Sequence, residues 1–596
     1  MSAKFTRCQG FKLKRLFARR RCRLQLVFSD EFEQEGRGFG VESKDARWTA
    51  ENMWYEGTLD FENYRSEQAR RINTTGGAAV ITLESKQSSA YVQRFNGEVW
   101  NVTKNYTSGF MSTWNKFCFT GGYIEAGLQF PGDDYISGFW PAFWMMGNLA
   151  RPGYMMSTTG MWPYSYNSCR GDLSGTEREG ANKPQKITAC PDPPGFNRTL
   201  YGLLPGQGRG APEIDMVEMK VPPSIDESTG QPIPLGLPRG GEPGQHPAAF
   251  NSMTLQSAPL LPNGTTWMSV NNTDEHGPLG QGLYLNQAPM QPGGALEGMY
   301  THSTYWTGEF AYGMVPQLRE AQSRLGFDEG TFQNMLMNIR PGNLVQDALS
   351  VMATLTPDFY QQYHKFGVDW KPNEYVRWYI DGQLVYEVNK EALRAQSNGT
   401  YETFERLIPV EPMFVILNFA ISDGFTKVDF DRLGFPAEYK IDYVRVYQDP
   451  EAVNLGCSPP DYPTAQWIAC NRDTYVMTKE DDVLIPDVCE KLPYCKSQVN
   501  VEFQGGDLLG ADGQPVKYTN VSTSQDCCQM CAKNPACGAW VWNPRYDHVC
   551  IFKNSSGYNA TVVTDPDFQG LLSGVVYNAN STTPRVTPAG RPAGRK

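Results

Sequence analysis

Apolar and polar residues alternate in short, strand-length runs along this chain, separated by stretches rich in Gly, Pro, Asn and Thr. Leu24 to Phe28, Ala78 to Leu83, Phe117 to Gly127, Tyr375 to Ile380, Val415 to Phe419 and Tyr443 to Tyr447 all read as β-strands, and helical periodicity is scarce. Asp381-Gly382 between two such runs predicts a hairpin turn. Residues 221–345 read as extended loops, with short helical turns expected within 328–355. The pattern predicts an all-β fold with long loop insertions.

One predicted strand carries acids. In Glu213-Ile214-Asp215-Met216-Val217-Glu218, strict alternation puts Glu213 and Asp215 on one face and Glu218 on the other. One extra residue near Met216-Val217, a β-bulge, returns Glu218 to the acidic face while the apolar residues point inward. The two glutamate α-carbons then stand roughly 13 Å apart at ~3.3 Å per step, so their carboxyls meet only by leaning toward each other. Crowding raises the pKa of at least one, because like charges resist joint ionisation. A retaining glycosidase needs one ionised and one protonated carboxyl ~5–5.5 Å apart. The spacing alone is equally that of a solvated polar face on an edge strand.

The chain has 596 residues, more than one ordinary domain, with 12% aromatic and 20% charged residues. No apolar run approaches the ~18 residues of a transmembrane helix. Net charge is −11, and residues 1–23 hold nine Lys or Arg and no acid, so −11 minus 9 leaves the rest near −20. An acidic body argues against nucleic acid as partner. The basic arm is a disordered leader or the positive flank of a membrane anchor. It lacks the apolar core of a signal peptide. Fourteen cysteines, with sequons at Asn73, Asn101, Asn105, Asn197, Asn263, Asn271, Asn398, Asn520, Asn554, Asn559 and Asn580, nevertheless point to the secretory pathway and the cell surface, wall or endomembranes. The five histidines are scattered singly, which disfavours a zinc site or histidine triad. No metal or cofactor is expected.

Tryptophan supplies the candidate sugar contacts, because C–H faces of sugar rings stack on indole. Trp140 and Trp144, in Gly138-Phe-Trp-Pro-Ala-Phe-Trp-Met-Met-Gly-Asn148, read as subsite or core residues. His302 and Trp306 are further candidates, with a structural role as the alternative; Trp162 joins them as a substrate-binding candidate.

Val27-Phe-Ser-Asp-Glu-Phe32, the Gly138 to Gly147 block and Glu213 to Glu218 together resemble glycoside hydrolase family 16, β-jelly-roll enzymes acting on β-glucans. Gly147-Asn-Leu-Ala-Arg-Pro-Gly-Tyr154, Trp162-Pro-Tyr-Ser-Tyr166 with Cys169, and Gly206 to Ala211 leading into Pro212-Glu-Ile-Asp are similar to its fungal Skn/Kre branch, associated with β-1,6-glucan synthesis. Tyr363 to Trp370, Arg377 to Gly382, Pro412 to Ala420 and Ile441 to Tyr447 extend the match over roughly residues 25–475. The resemblance implies a jelly-roll sandwich with Glu213 as nucleophile, Glu218 as acid/base and Asp215 as helper. It implies β-glucan polysaccharide as partner, in a retaining glycosidase or transglycosidase of wall β-glucan. The alternatives are a β-1,3-glucan hydrolase and a non-catalytic glucan-binding scaffold. Family members are usually membrane-anchored N-terminally to the fold.

After Gln448 the composition changes. Residues 451–496 form a Pro- and Cys-containing extension with Cys457, Cys470, Cys489 and Cys495. Beyond it, Asp526-Cys-Cys-Gln-Met-Cys531, Cys537 and Cys550 resemble a PAN/apple domain, which implies a small disulfide-rich α+β unit that binds protein or carbohydrate. Cys169, Cys190, Cys457, Cys470, Cys489, Cys495, Cys527, Cys528, Cys531, Cys537 and Cys550 are the disulfide candidates. The expected organisation is a leader (1–23), a catalytic domain (24–450, insertion about 221–345), the extension (451–496), the PAN/apple-like unit (497–578) and a disordered tail (579–596).

Overall fold

The computed structural model describes residues 24–66, 71–94, 97–169, 185–192, 196–222, 225–226, 231–232, 249–257, 282–297, 299, 301–308, 346–395, 405–486, 489, 495–499, 501–519, 521, 524–534, 536–543, 549–554, 559–562 and 572–576. The leader, most of the 221–345 insertion, the tail, and the sequons at Asn263, Asn271, Asn398, Asn520 and Asn580 lie outside the described residues. The chain divides into two units, Met1–Val488 and Cys489–Lys596.

The first unit is a sandwich of two nine-stranded antiparallel sheets, counted among the described residues. One runs, in spatial order, Leu283–Leu285, Gln383–Asn389, Tyr375–Ile380, His364–Lys371, Gly122–Gln129, Ala437–Gln448, Ala78–Leu83, Ile72–Thr75, with Gln25–Asp30 also on Ala437–Gln448. The other runs Thr301–Gly308, Gln346–Thr354, Phe250–Ser257, Glu213–Lys220, Phe139–Gly147, Met413–Ile421, Phe110–Ser112, Thr49–Ala50, with Cys118–Phe119 also on Met413–Ile421. Alternation explains which face each strand buries. In Tyr375–Ile380, Val376, Trp378 and Ile380 are fully buried while Tyr375, Arg377 and Tyr379 are half-buried. These residues join Phe143, Met145, Ile214, Val217, Leu349 and Leu417 from the facing sheet in one apolar core. Asp381 and Gly382, at φ 48° and 75°, make the tight turn between Tyr375–Ile380 and Gln383–Asn389.

The loop reading of the insertion needs correction. Phe250–Ser257, Thr301–Gly308 and Gln346–Thr354 are not loops or helical turns but paired strands of the second sheet. Buried Asn251 and Ser257 interrupt the inward apolar row, and Phe250 and Met352 stand on the outer face, so the apolar contrast that marks a strand is weak. The extension, through residue 486, packs closely onto the sandwich and belongs to the same unit. Arg151, fully buried, donates to Glu51 (2.7 Å), to Asp481 (3.0 Å) and to the Tyr475 carbonyl (2.8 Å). The Tyr475 ring stacks on Trp114 at 5.6 Å. Arg209 grips Glu411 with two 2.7 Å bonds and also reaches the Pro463 carbonyl. A disulfide joins Cys118 to Cys457 across 339 residues. Cys118 was not among the candidates; between Phe117 and Phe119 it reads as an ordinary core residue. Cys169 pairs with Cys190, and Cys470 is also disulfide-bonded.

The second unit packs the helix Ser524–Lys533 on Ala539–Asn543, within a five-stranded sheet. Cys527–Cys550 ties helix to sheet, Cys531–Cys537 closes the helix C-terminal turn, and Cys489 and Cys528 are disulfide-bonded as well. The Cys495 side chain lies outside the described residues. With Trp540 and Phe552 the cysteines form the small core expected of a disulfide-dense unit.

Replacing Arg151 with Met strands the Glu51 and Asp481 carboxylates in the interior. Breaking a buried pair in this way is expected to cost about 3–5 kcal/mol, read by denaturant unfolding of the purified chain.

Candidate active site

The register of Glu213–Lys220 slips by one residue at Met216. Asp215 faces Trp144 and Val217 faces Phe143 on one neighbour, and the pairing with Phe250–Ser257 jumps between Asp215 and Glu218. Met216 and Val217 therefore both enter the core, and Glu213, Asp215 and Glu218 all leave the opposite face. A bulge frees backbone groups that must find partners. The carboxamide of Asn251, itself fully buried, accepts from Glu218 N (3.1 Å) and donates to Met216 O (3.1 Å). The indole N–H of Trp378, from the other sheet, donates to Asp215 O at 2.8 Å.

The three carboxyls differ in surroundings. Glu213 accepts a 2.8 Å hydrogen bond from the Trp162 indole and is hydrogen-bonded to Asp215. Burial pushes its pKa up to about 7, while the Trp162 and Asp215 bonds pull it down. Asp215 is held well above the usual range by burial and by the charges of Glu213 and Glu218, and accepts from Gln256 at 3.3 Å. It is thus the natural holder of the proton in its bond to Glu213. Burial, then the charge of Glu213, raises Glu218 to about 8; Lys220 and the nearby Trp140 indole act the other way. The Trp140 N–H makes no well-formed hydrogen bond. Both glutamates are deeply enclosed yet only half-buried in surface, so a ligand can reach them. The Trp162 and Asp215 bonds favour the charged form of Glu213, as a nucleophile requires, and the charge of Glu213 favours the protonated form of Glu218, as a general acid requires.

The aromatic candidates separate. Trp140 is half-buried on the carboxylate face and stacks on Phe425 at 4.2 Å. Trp144 is on the same face but only 6% exposed, its N–H bonded to Asn418 Oδ1 at 2.8 Å. Trp162 touches Glu213 directly. His302 and Trp306 sit on the edge strand Thr301–Gly308, and their side chains lie outside the described residues.

Sequence reasoning missed Asn251 and Trp378, whose signal was a polar residue in one strand and one more core-like tryptophan in another. It also missed Tyr55. Burial and the charges of Glu213, Asp60 and Asp215 hold this phenol well above its normal pKa, so it stays a neutral donor beside them. Behind it lies a second buried carboxyl pair, Asp60 (raised to about 7 by burial) and Glu62. Tyr64 donates to Asp60 (2.8 Å) and accepts from Asn418 (3.3 Å), which links this pair to Trp144. Among the described residues no group of His, Cys, Asp and Glu side chains is arranged to hold a metal ion.

Comparison with known proteins gives two family matches. Residues 12–260 and 326–481 match the family described as "Beta-glucan synthesis-associated protein SKN1/KRE6/Sbg1", and residues 501–553 match the PAN domain. Similar proteins include the beta-glucan synthesis-associated protein KRE6 of Candida albicans, 28% identical over 466 residues (76% of this chain, 49% of the relative). KRE6 of Saccharomyces cerevisiae is 28% identical over 464 residues (76% and 50%). The chain thus spans about half the length of the curated relatives it matches. Among solved structures, the endo-1,3-beta-glucanase (laminarinase) catalytic domain of Thermotoga petrophila aligns at 20% identity with TM-score 0.35, covering 72% of this chain and 98% of that one.

Two outcomes are expected. Asn251→Ala orphans a buried N–H and a buried C=O, which should lower stability by about 2–4 kcal/mol in chemical denaturation. The raised carboxyls also set a pH dependence. Unfolded glutamates titrate near about 4.3, so their contribution is intact below that pH and is lost as pH rises through the folded values of about 7 and 8. Glu218→Gln removes one such loss and should shrink the fall in Tm between pH 5 and pH 9 in a thermal melt; an unchanged fall contradicts the assignment.

Proposed function

Because this chain belongs to the SKN1/KRE6/Sbg1 family of β-glucan synthesis-associated proteins, we propose that its first unit is a retaining β-glucan-active transglycosidase of cell-wall assembly or remodelling. The observation that carries this reading is the set of three carboxyls turned to one face by a clamped bulge, with the Trp162 N–H on Glu213.

The reaction runs as a double displacement. The Glu213 carboxylate attacks the anomeric carbon of the donor. The glycosidic C–O bond breaks, and Glu218 gives its proton to the leaving oxygen. A glycosyl ester on Glu213 results, with Asp215 donating to Glu213 and the Trp162 N–H fixing its other contact. In the second step the Glu218 carboxylate takes the proton of an acceptor hydroxyl, whose oxygen attacks the same carbon and frees Glu213. Water as acceptor makes the protein a hydrolase; a glucan hydroxyl makes it a transglycosidase. The half-buried Tyr55, Trp140 and Trp162 support sugar binding without adding charge.

The PAN domain is a binding module for a protein or carbohydrate partner on this reading. The disulfides Cys118–Cys457, Cys169–Cys190, Cys527–Cys550 and Cys531–Cys537 favour an oxidising compartment, hence the secretory pathway or cell surface.

Incubation with β-1,3- and β-1,6-gluco-oligosaccharides, read by mass spectrometry, tests this. Products longer than the donor are expected, with Glu213→Gln reducing turnover by at least about 10³-fold while oligosaccharide binding persists. Products that are only shorter make the protein a hydrolase. Turnover preserved in Glu213→Gln excludes the mechanism, and binding without turnover of any donor makes it a glucan-binding scaffold.

A further inference from the structure

Lys220 stands two residues beyond Glu218 on the same strand, so both side chains leave the same face. Its ammonium donates to the Phe425 carbonyl at 3.0 Å and lies 4.6 Å from the Phe425 ring centre and 5.1 Å from that of Phe250. Among the described residues it has no carboxylate ion-pair partner, unlike Arg151 and Arg209. An ammonium has three N–H bonds, and the carbonyl uses one.

Its neighbours are fixed by register. Ala142 pairs with Glu218, so Trp140 and Lys220, each two residues further along, share the next row across the sheet; Phe250 pairs with Lys220. Phe425 closes this corner by stacking on Trp140 with ring planes 15° apart. The corner therefore has aromatic walls and, among the described residues, one cation with hydrogen-bond donors to spare. The charge of Glu218, two residues away, steadies the ammonium without pairing with it directly, and among the described residues only the Phe425 carbonyl accepts from it, which is an unfavourable way to enclose a charge. It is explained if a ligand oxygen completes the ammonium's bonds. An anionic ligand is disfavoured by Glu213, Asp215 and Glu218 a few residues away. A neutral polyhydroxyl ring fits, with C–H faces on the aromatics and a hydroxyl on the nitrogen.

In the double displacement, Glu218 handles the oxygen that leaves with, or arrives on, the second sugar. Lys220 lies on the far side of Glu218 from Glu213. We propose that Lys220, with Trp140, Phe425 and Phe250, forms the acceptor subsite, and that its ammonium holds a hydroxyl of the incoming neutral glucan while a second hydroxyl of that glucan meets Glu218. The subsite favours a sugar over water in the second step. This rests on the transglycosidase reading.

The test uses the full chain carrying Lys220→Met, which keeps the stem and removes the charge, and Lys220→Arg, which keeps the charge. With a gluco-oligosaccharide as donor and acceptor, Lys220→Met should raise the acceptor KM and lower the ratio of transfer to hydrolysis by about tenfold, the loss of one charge-assisted hydrogen bond. Lys220→Arg should restore most of both. An unchanged ratio and acceptor KM in Lys220→Met overturn the subsite and leave the catalytic reading standing. If the wild type turns over no glucan, the catalytic reading falls, and calorimetric binding of the same oligosaccharide to Glu213→Gln with and without Lys220→Met decides. Weaker binding without the lysine sustains a Lys220 subsite, and equal affinity, or no binding in either, overturns it. Should Lys220→Met not fold, Lys220→Gln carries the same comparisons.

Discussion

One extra residue in one strand governs the chemistry of the first unit. Without the bulge at Met216, alternation would turn Glu218 into a core of Phe143, Met145 and Leu417 and leave two acids outside. The bulge persists because its freed backbone groups are satisfied. Asn251 reads both sides of it from the next strand, and Trp378 reads Asp215 O from the opposite sheet. The carboxylate strand is thereby tied to the second layer of the sandwich, and the geometry of the acids is a property of the whole core.

The unit treats its buried charges in two ways. Where charge serves architecture it is closed: Arg151 meets Glu51 and Asp481, and Arg209 takes Glu411 in a two-pronged pair. On the carboxylate face no arginine approaches Glu213, Asp215 or Glu218 among the described residues, and their pKa values rise. That costs stability at neutral pH and yields acids that hold protons where ordinary carboxyls do not. The chain Trp144–Asn418–Tyr64–Asp60 extends this neutral, hydrogen-bonded character behind the face, because each donor has one acceptor and the directions are fixed.

Much of this was legible in the residues. The alternating runs, the Asp381-Gly382 turn and the E-x-D-x-x-E spacing are local signals, each confined to a few positions. The strands Phe250–Ser257 and Gln346–Thr354 were not legible, because Asn251 and Ser257 put polar groups in the inner row while Phe250 and Met352 put apolar bulk on the outer face, which blurs the alternation on which pattern reading depends. Asn251 resembled any loop asparagine, since its two backbone partners exist only once the bulge has formed. Cys118 and Arg151 find partners more than 300 residues away, and no local pattern encodes such pairings.

The central claim is that Glu213 forms a covalent bond to sugar while Glu218 moves the proton. The most direct measurement is trapping with a 2-deoxy-2-fluoro β-gluco-oligosaccharyl fluoride, whose slowed second step accumulates the intermediate. Peptide mass spectrometry should find the added sugar on Glu213, with none in the Glu213→Gln variant. A label on another residue, or none while the untreated protein turns over glucan, would contradict the account.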